Sequence, residues 1–573
     1  MTQDRGRLRV IWLMGMAAVL AAVLLGKLVY WQVVEHQKIS LLAAKQHQVT
    51  FKLPSQRGKI FDRSGQLLAT DTPVANVVAD PSLIPRAARS QVAGSLAPLL
   101  GMTATDILKQ LEMPLKFEYL KHKLSRETAD KIGALHLAGI GLEDDSRRSY
   151  LSSVDPAAPT EPRSLAGNLL GFVNDGGTGQ YGLEQYYDGQ LKGHDGYEST
   201  LKTGTNETIV LSDVKKVLPQ DGTSLQLGLD SQVQFFAEKA LAAGVKKTSA
   251  ESGSVIIMEP STGNIIAWAD YPTFDANNFG GSDAKLFTDP AVSSLYEPGS
   301  VMKVVTLSGG LQSGAITPDY TFNETGSVNV GGYTIQDWDH KPHGNISMTR
   351  VLELSLNAGA VKVQQIEGPD NFYKFLGAFG IGSLTGIDVA GEVARPLKPL
   401  RNYYPSELAT TAFGQGVAVT PIEMISAINT VANGGRFVHP RVVTSTILAD
   451  GSRKEVPQDL GTQVLGTQAE NDMRQMMIKV VEHGSGWTTK MDGWQNQIAG
   501  KTGTANVPEG GKYTDKVIAS FVGFMPAYNP RFTMLVIMRN PKGDTLAQEG
   551  TFTAAPVWKS IAQQILVQWQ VTP

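Results

Sequence analysis

One apolar segment near the N-terminus limits this chain before any other feature does. Residues 10–26 read VIWLMGMAAVLAAVLLG without a charge, and after Lys27 the run resumes as LVYWQVV, so 10–34 is apolar almost throughout. That length crosses a bilayer with some tilt. Arg5, Arg7 and Arg9 precede it, Lys27 can reach an interface with its ammonium, and Tyr30 with Trp31 stand where an aromatic belt forms. The run is too long, and its flank too bulky, for a cleaved signal peptide. The expectation is an uncleaved signal anchor over 10–34 behind a cytoplasmic tail, 1–9. Gly15, Ala18 and Ala22 lie at helical spacing and would suit helix packing, although lipid-facing filler accounts for them more simply. No later stretch approaches 18 uncharged apolar residues, so the roughly 540 residues that follow are expected on the extracytoplasmic (periplasmic) side of the plasma membrane. A single span forms no pore.

A chain of 573 residues holds several structural units at about 100 to 200 residues each. It contains no cysteine, which excludes disulfides, thiolate metal sites and thiol nucleophiles in one step. Covalent chemistry, if present, uses another nucleophile. With 51 basic against 54 acidic residues, no global field favours nucleic acid as a partner.

Residues 35–218 are polar and loop-rich, with short alternating runs such as VTFKL (49–53) and VANVVAD (74–80) and helical stretches near 103–113 and 126–135. They predict an irregular mixed α+β pedestal. Residues 219–573 form the second domain: LQLGL (225–229) reads as a strand leading into a helix from Asp230, and 252–260 with 263–271 reads as a hairpin opening a core sheet. Apolar helices then alternate with strands, as in an α/β domain.

Ser-x-x-Lys places a hydroxyl and an amine on one helical face, and it occurs four times. Ser199/Lys202, Ser212/Lys215 and Ser282/Lys285 lie in polar stretches. Ser300/Lys303 instead follows a Pro298-Gly299 turn and opens an apolar helix carrying Val301, Val304, Val305, Leu307 and Leu311. Burial there would strip water from the Lys303 amine and lower its pKa toward that of a base. A helix N-terminus would favour an oxyanion forming at Ser300. A capping serine with a snorkelling lysine is the plainer account of any isolated Ser-x-x-Lys.

Ordered partners decide more. Ser-x-Asn occurs at Ser327/Asn329, between glycines, and at Ser355/Asn357, after an apolar helical run. Lys-Thr-Gly-Thr occurs at Lys202–Thr205, ahead of the second domain, and at Lys501–Thr504, where an apolar approach and a return strand (517–526) make an antiparallel pair. Gly503 is expected to let a substrate backbone lie close to that strand.

The ordered set Ser300-x-x-Lys303, Ser355-x-Asn357 and Lys501-Thr502-Gly503 resembles the three-part signature of penicillin-binding proteins and serine β-lactamases. DHKPHGNIS (339–347), AFGIGSLTGIDVAGE (378–392), AFGQGVAVTPIEMISAINTVANGG (412–435) and IAGKTGTA (498–505) extend the likeness through the second domain. RGKIFDRSG (57–65) and GLEQYYDGQLKG (182–193) extend it into the pedestal. Nearly the whole chain thus resembles a class B penicillin-binding protein, a monofunctional peptidoglycan D,D-transpeptidase. Leu356 stands where the signature often has Asp, which sides with a transpeptidase over a class A β-lactamase.

The resemblance implies the penicillin-binding transpeptidase fold, an antiparallel sheet flanked by helices, and no cofactor. It implies that Ser300 attacks the D-Ala–D-Ala carbonyl of a stem peptide on lipid II-derived glycan strands, with Lys303 as base. Ser355 would relay the proton, Asn357 hold the substrate amide and Lys501 supply positive potential. Thr502 and Thr504 would bind the terminal carboxylate, with backbone N–H groups of Ser300 and Thr504 as the oxyanion hole. β-Lactams would acylate the same serine. Implied partners are a membrane glycosyltransferase of the SEDS type and division or elongation proteins, and the Glu297–Ser300 context favours the division type. A D,D-carboxypeptidase, a β-lactamase-like hydrolase, and a silent scaffold or β-lactam sensor are the alternatives. Against the last stands the intact residue set.

Other constellations carry less. His340 and His343 flank Pro342 without a third ligand, so no metal site is expected. Glu353 and Glu407 stand in no pattern that would make either a deacylating carboxylate. Arg57, Asp62 and Arg63 read as a structural ion-pair cluster or a partner-facing patch.

Overall fold

The computed structural model describes residues 3–38, 48–153, 163–201 and 215–573. They fall into two compact units, residues 1–56 with 193–221, and residues 57–192 with 222–573. The first carries the apolar segment as a helix, Gln3–Val29, continued by a π-turn over Tyr30–Val34. Gly6–Val34 is long and apolar enough to cross a membrane, with a mean hydropathy of 2.3. The same unit holds a three-stranded antiparallel sheet of Gln48–Leu53, Gly196–Leu201 and Lys215–Val217. Lys202, the Lys202–Thr205 run and Ser212 lie outside the described residues.

The second unit is built on two sheets. Five antiparallel strands form the larger core, in the order Ile265–Tyr271, Ser252–Met258, Phe532–Arg539, Lys512–Met525 and Ala499–Glu509. Alternate residues serve opposite faces, as the strand period of two requires. Val255, Ile257, Phe521 and Val536 pack with the helices Ser231–Thr248 and Ala554–Gln568, while Ile256, Val522 and Leu535 pack with the helices that carry the site. Trp558, fully buried, donates its indole N–H to the Met534 carbonyl at 3.0 Å, so it fills the first face without stranding a polar group. Asp230 caps the Ser231 helix by accepting from the Gln232 and Val233 N–H groups, which is why the helix starts where the sequence places it.

The second sheet crosses the expected 218/219 boundary. Ser224–Leu227 runs parallel to Ile60–Phe61 on one side and antiparallel to Val443–Ile447 on the other, and Leu67–Ala79 then pairs with Glu118–Ser125 and Ile140–Tyr150. The RGKIFDRSG segment is folded into this framework. Arg57 reaches Glu184 at 2.6 Å and Asp188 at 2.7 Å, and Arg148 shares Glu184 at 2.7 Å, all with the Glu184 side chain fully buried. Asp62 caps the Ser231 helix through the Ser231 hydroxyl at 2.7 Å. Arg63 lies over the Trp569 ring. Of the two readings of this motif, the residues take the structural one.

Candidate active site

The nucleophile candidate sits on a short 3-10 turn, Gly299–Val301, that runs into the helix Met302–Gln312, buried along ten of its eleven residues. Gly299 adopts φ 55°, and an added Cβ would stand 2.7 Å from the Thr504 carbonyl oxygen. Gly414 meets it from the other side: its carbonyl accepts the Gly299 N–H at 3.1 Å, and a Cβ on Gly414 would lie 2.2 Å from the Gly299 carbonyl. Backbone approaches this close admit only glycine. The turn bearing Ser300 is thereby clamped between the edge strand and the 414–416 turn.

Ser355 ends the helix Met348–Leu354 in the left-handed conformation, φ 60°, and Asn357 begins the next helix, Asn357–Glu367. A non-glycine residue held there is strained, and such strain concentrates at working sites. Lys501 to Thr504 lie on the edge strand Ala499–Glu509.

Five candidate side chains converge. Lys303 Nζ lies 2.9 Å from Ser300 Oγ, 2.6 Å from the Ser355 carbonyl oxygen, 2.9 Å from Asn357 Oδ1 and 3.4 Å from Ser355 Oγ. Lys501 Nζ donates to Ser355 Oγ at 2.9 Å, so Ser355 bridges the two amines. Asn357 donates its amide N–H to the Gln336 carbonyl at 3.0 Å. Both lysines are fully buried. Burial holds the Lys303 amine well below the usual lysine range, and the Lys501 charge pushes it the same way against the opposing pull of Asp337. Burial brings Lys501 down to about 7, opposed by Glu549.

The structure separates the substrate-side candidates. Thr502 is buried, with Oγ1 2.6 Å from Ser485 Oγ. Thr504 is exposed, and its Oγ1 accepts the Gly550 N–H at 3.3 Å. Gly503 carries a packing constraint: a Cβ there would meet Ser520 Oγ at 2.4 Å, Val301 Cγ2 at 2.9 Å and the Pro298 carbonyl at 3.0 Å, so the glycine makes room for the nucleophile turn.

The rejected candidates stay apart from this chemistry. Ser282 follows a 3-10 segment and Lys285 lies in another, so no helical face joins them. Ser199 is on a strand, as is Asn329, whose Oδ1 accepts the Thr334 hydroxyl at 2.6 Å. Glu353 is occupied by Arg350 at 2.7 Å and Glu407 by Lys398 at 2.5 Å. His343 pairs with Asp339 at 3.1 Å, and among the described residues no group of three or more His, Asp or Glu gathers as a ligand set.

Sequence reasoning missed three residues. Asp337 accepts the N–H groups of Asn357 and Ala358 through Oδ1 and so caps the Asn357 helix. Ser485 braces Thr502, and the only sequence hint of it is the pair of flanking glycines, Gly484 and Gly486. Glu297 accepts the Gly416 N–H at 3.0 Å and the Tyr513 hydroxyl at 3.0 Å.

Comparison with known proteins follows this geometry. Residues 253–563 match the penicillin-binding protein transpeptidase domain, and residues 52–227 match the penicillin-binding protein dimerisation domain. The chain belongs to the class B penicillin-binding proteins. Stage V sporulation protein D of Bacillus subtilis is 31% identical over 96% of this chain and 83% of its own length. A probable peptidoglycan D,D-transpeptidase of Pseudomonas aeruginosa, PbpC, is 30% identical over 98% of this chain and 95% of its own. Among solved structures, penicillin-binding protein 3 of Mycobacterium tuberculosis, complexed with aztreonam, superposes with a TM-score of 0.70 at 26% identity, covering 91% of this chain and 98% of that one. The five converging side chains of this penicillin-binding protein all fall inside the matched transpeptidase domain.

Proposed function

We propose that Ser300 is the nucleophile and Lys303 the base of a serine-type peptidoglycan D,D-transpeptidase of cell-wall synthesis, a target of β-lactams. The observation that carries the assignment is the set of partners around Lys303 Nζ. A neutral amine has two N–H donors and one lone pair. With the donors on the Ser355 carbonyl and Asn357 Oδ1, the lone pair is left for the Ser300 hydroxyl proton, 2.9 Å away.

Ser300 Oγ adds to the carbonyl of the penultimate D-Ala of a stem peptide as its proton passes to Lys303. The oxyanion is met by the N–H groups of Ser300 and Thr504; in an antiparallel ladder the N–H and carbonyl of one residue point the same way, and the Thr504 carbonyl lies against Gly299. Collapse breaks the peptide bond, and the leaving amine of D-Ala takes a proton relayed from Lys303 through the Ser355 hydroxyl. The acyl-enzyme is then attacked by an amine of a neighbouring stem, whose proton returns by the same relay to Ser300 Oγ. Lys501, protonated, and the Thr504 hydroxyl hold the donor carboxylate; Thr502 acts by fixing the Lys501 strand, and Asn357 orients the substrate amide.

The finer assignments rest on separate features. The Arg5, Arg7 and Arg9 flank supports a cytoplasmic N-terminus, which leaves the catalytic residues on the outer side, where the substrate is. The chain is read as an anchor over 10–34, a pedestal over 35–218 and a transpeptidase domain over 219–573. Work beside a SEDS-type glycosyltransferase in the division complex is the partner assignment. Fluorescent penicillin should label the wild type and leave Ser300→Ala unlabelled; label retained by that variant overturns the choice of nucleophile. Release of D-Ala with cross-linked dimers supports amine transfer, whereas trimmed stems alone make the enzyme a carboxypeptidase.

A further inference from the structure

Two buried carboxyl groups lie behind the site and take no part in the chemistry above. Glu324 closes the strand Thr321–Glu324, and Asp337 follows the strand Tyr333–Gln336, so they flank the base of the intervening hairpin. Each is 1% exposed. The backbone locks that base: the Asp337 N–H donates to the Gly326 carbonyl at 3.0 Å, and the Gly326 N–H donates to Glu324 Oε1.

Their hydrogen bonds are unequal. Asp337 Oδ1 accepts two N–H groups at the start of the Asn357 helix, while Oδ2, fully enclosed, has no N–H or hydroxyl donor. The Glu324 carboxyl group interacts with the Asp337 carboxyl across this hairpin base. Two buried carboxylates in contact cannot both be ionised, and a single proton between them satisfies the orphan oxygen. Glu324 also accepts two backbone N–H groups, from Gly326 and His343, but those of Asp337 come from a helix N-terminus, which makes Asp337 the better placed to keep the charge.

We propose that Glu324 and Asp337 share one proton and act as a positioning pair: Asp337 supplies the negative charge behind Lys303 and pins the helix that presents Asn357, and the Glu324 carboxyl, kept protonated, holds Asp337 in place. The proposal rests on the reading of Lys303 as base. Asp337 is the opposite charge that acts on Lys303, whose other charged neighbour is Lys501. Glu324 Oε2 accepts the His343 backbone N–H at 3.0 Å, and the His343 ring is engaged by Asp339. Burial, then Asp337, push Glu324 above the ordinary carboxyl range.

The pair has a signature that a merely structural role lacks. Acylation needs Lys303 as the free amine, so its rate falls on the acidic side as Lys303 gains a proton. Removing a nearby negative charge lowers the Lys303 pKa further and moves that limb to lower pH. Either amide variant alone leaves one ionisable carboxyl and hence one charge; the double variant leaves none. The second-order rate of labelling by fluorescent penicillin is measured against pH for the full chain in detergent. The acidic limb should stay in place for Glu324→Gln, move only slightly for Asp337→Asn, and move down by roughly one pH unit for the double variant. A double variant with the wild-type limb overturns the charge assigned to Asp337. A limb shifted as far by Glu324→Gln alone shows Glu324 ionised and overturns the shared proton. Absence of label on the wild type overturns the reading of the site itself, a result distinct from both. Amides keep the shape and the Oδ1 acceptor, and unlabelled variants that still unfold cooperatively make the pair indispensable in itself, contrary to a role through charge.

Discussion

At the residue scale, the site contains two buried amines with different tasks, and pH distinguishes them. In the proposed mechanism Lys303 works without its proton and Lys501 with it. Because burial sets Lys501 at about 7, the free enzyme loses that charge as pH rises through neutrality. The pH profile of kcat/KM for acylation is therefore expected to be bell-shaped, with a basic limb near 7. Lys501→Arg, which keeps its charge at every accessible pH, should lower the maximum by roughly tenfold through its poorer fit and abolish the basic limb up to about pH 9. A basic limb unchanged in that variant assigns the limb to another group. The convergence of Ser300, Lys303, Ser355, Asn357 and Lys501 was legible because a helical turn or a short loop fixes the spacing within each motif. Glu324, Asp337 and Ser485 were not, because each meets a partner on a different element of the fold, where no sequence period applies.

At the element scale, the helices Met302–Gln312 and Asn357–Glu367 each present candidate-site groups at one end and meet along their buried faces. Near the far end a carboxyl is enclosed between them. Both Glu367 oxygens lack partners, and a Cβ on Gly309 would stand 2.7 Å from Oε1. Burial alone pushes Glu367 up to about 8. The folded chain thus keeps a proton that the unfolded chain releases above about 4.3, so this stabilisation is complete below that pH and is lost as pH rises through about 8. Its slope is at most about 1.4 kcal/mol per pH unit. Glu367→Gln should remove that part of the pH dependence: between pH 6 and 9 the wild-type Tm should fall a few degrees further than the variant's. Equal falls in both exclude Glu367 as the group responsible. The sequence announced these helices by their apolar spacing, and the strands Ser252–Met258 and Ile265–Tyr271 by their runs and turn. The enclosed carboxyl escaped it, since a glutamate at the end of a helix ordinarily reads as solvated.

At the scale of the whole molecule, the absence of cysteine makes membrane orientation directly testable. In intact spheroplasts an impermeant maleimide should label Lys38→Cys and leave Gln3→Cys untouched until the membrane is opened; the reverse pattern inverts the proposed orientation. The sequence reading separated the regions on either side of 218/219 because composition changes there. It could not foresee that one ladder joins them, since hydrogen bonding between strands leaves no mark on composition. That ladder bears on how the protein is made. The strand Ile60–Phe61 pairs on one edge with the nearby Leu67–Ala79, but its other edge is covered only when Leu225 arrives, and the far edge of that strand waits for Val443–Ile447. With the N-terminus cytoplasmic as proposed, a chain threaded outward from its anchor must therefore leave one edge of this sheet open until most of its length has emerged. Completion of the sheet is then gated by the late arrival of short strands, and the interval before it is when the open edge is exposed to misassociation.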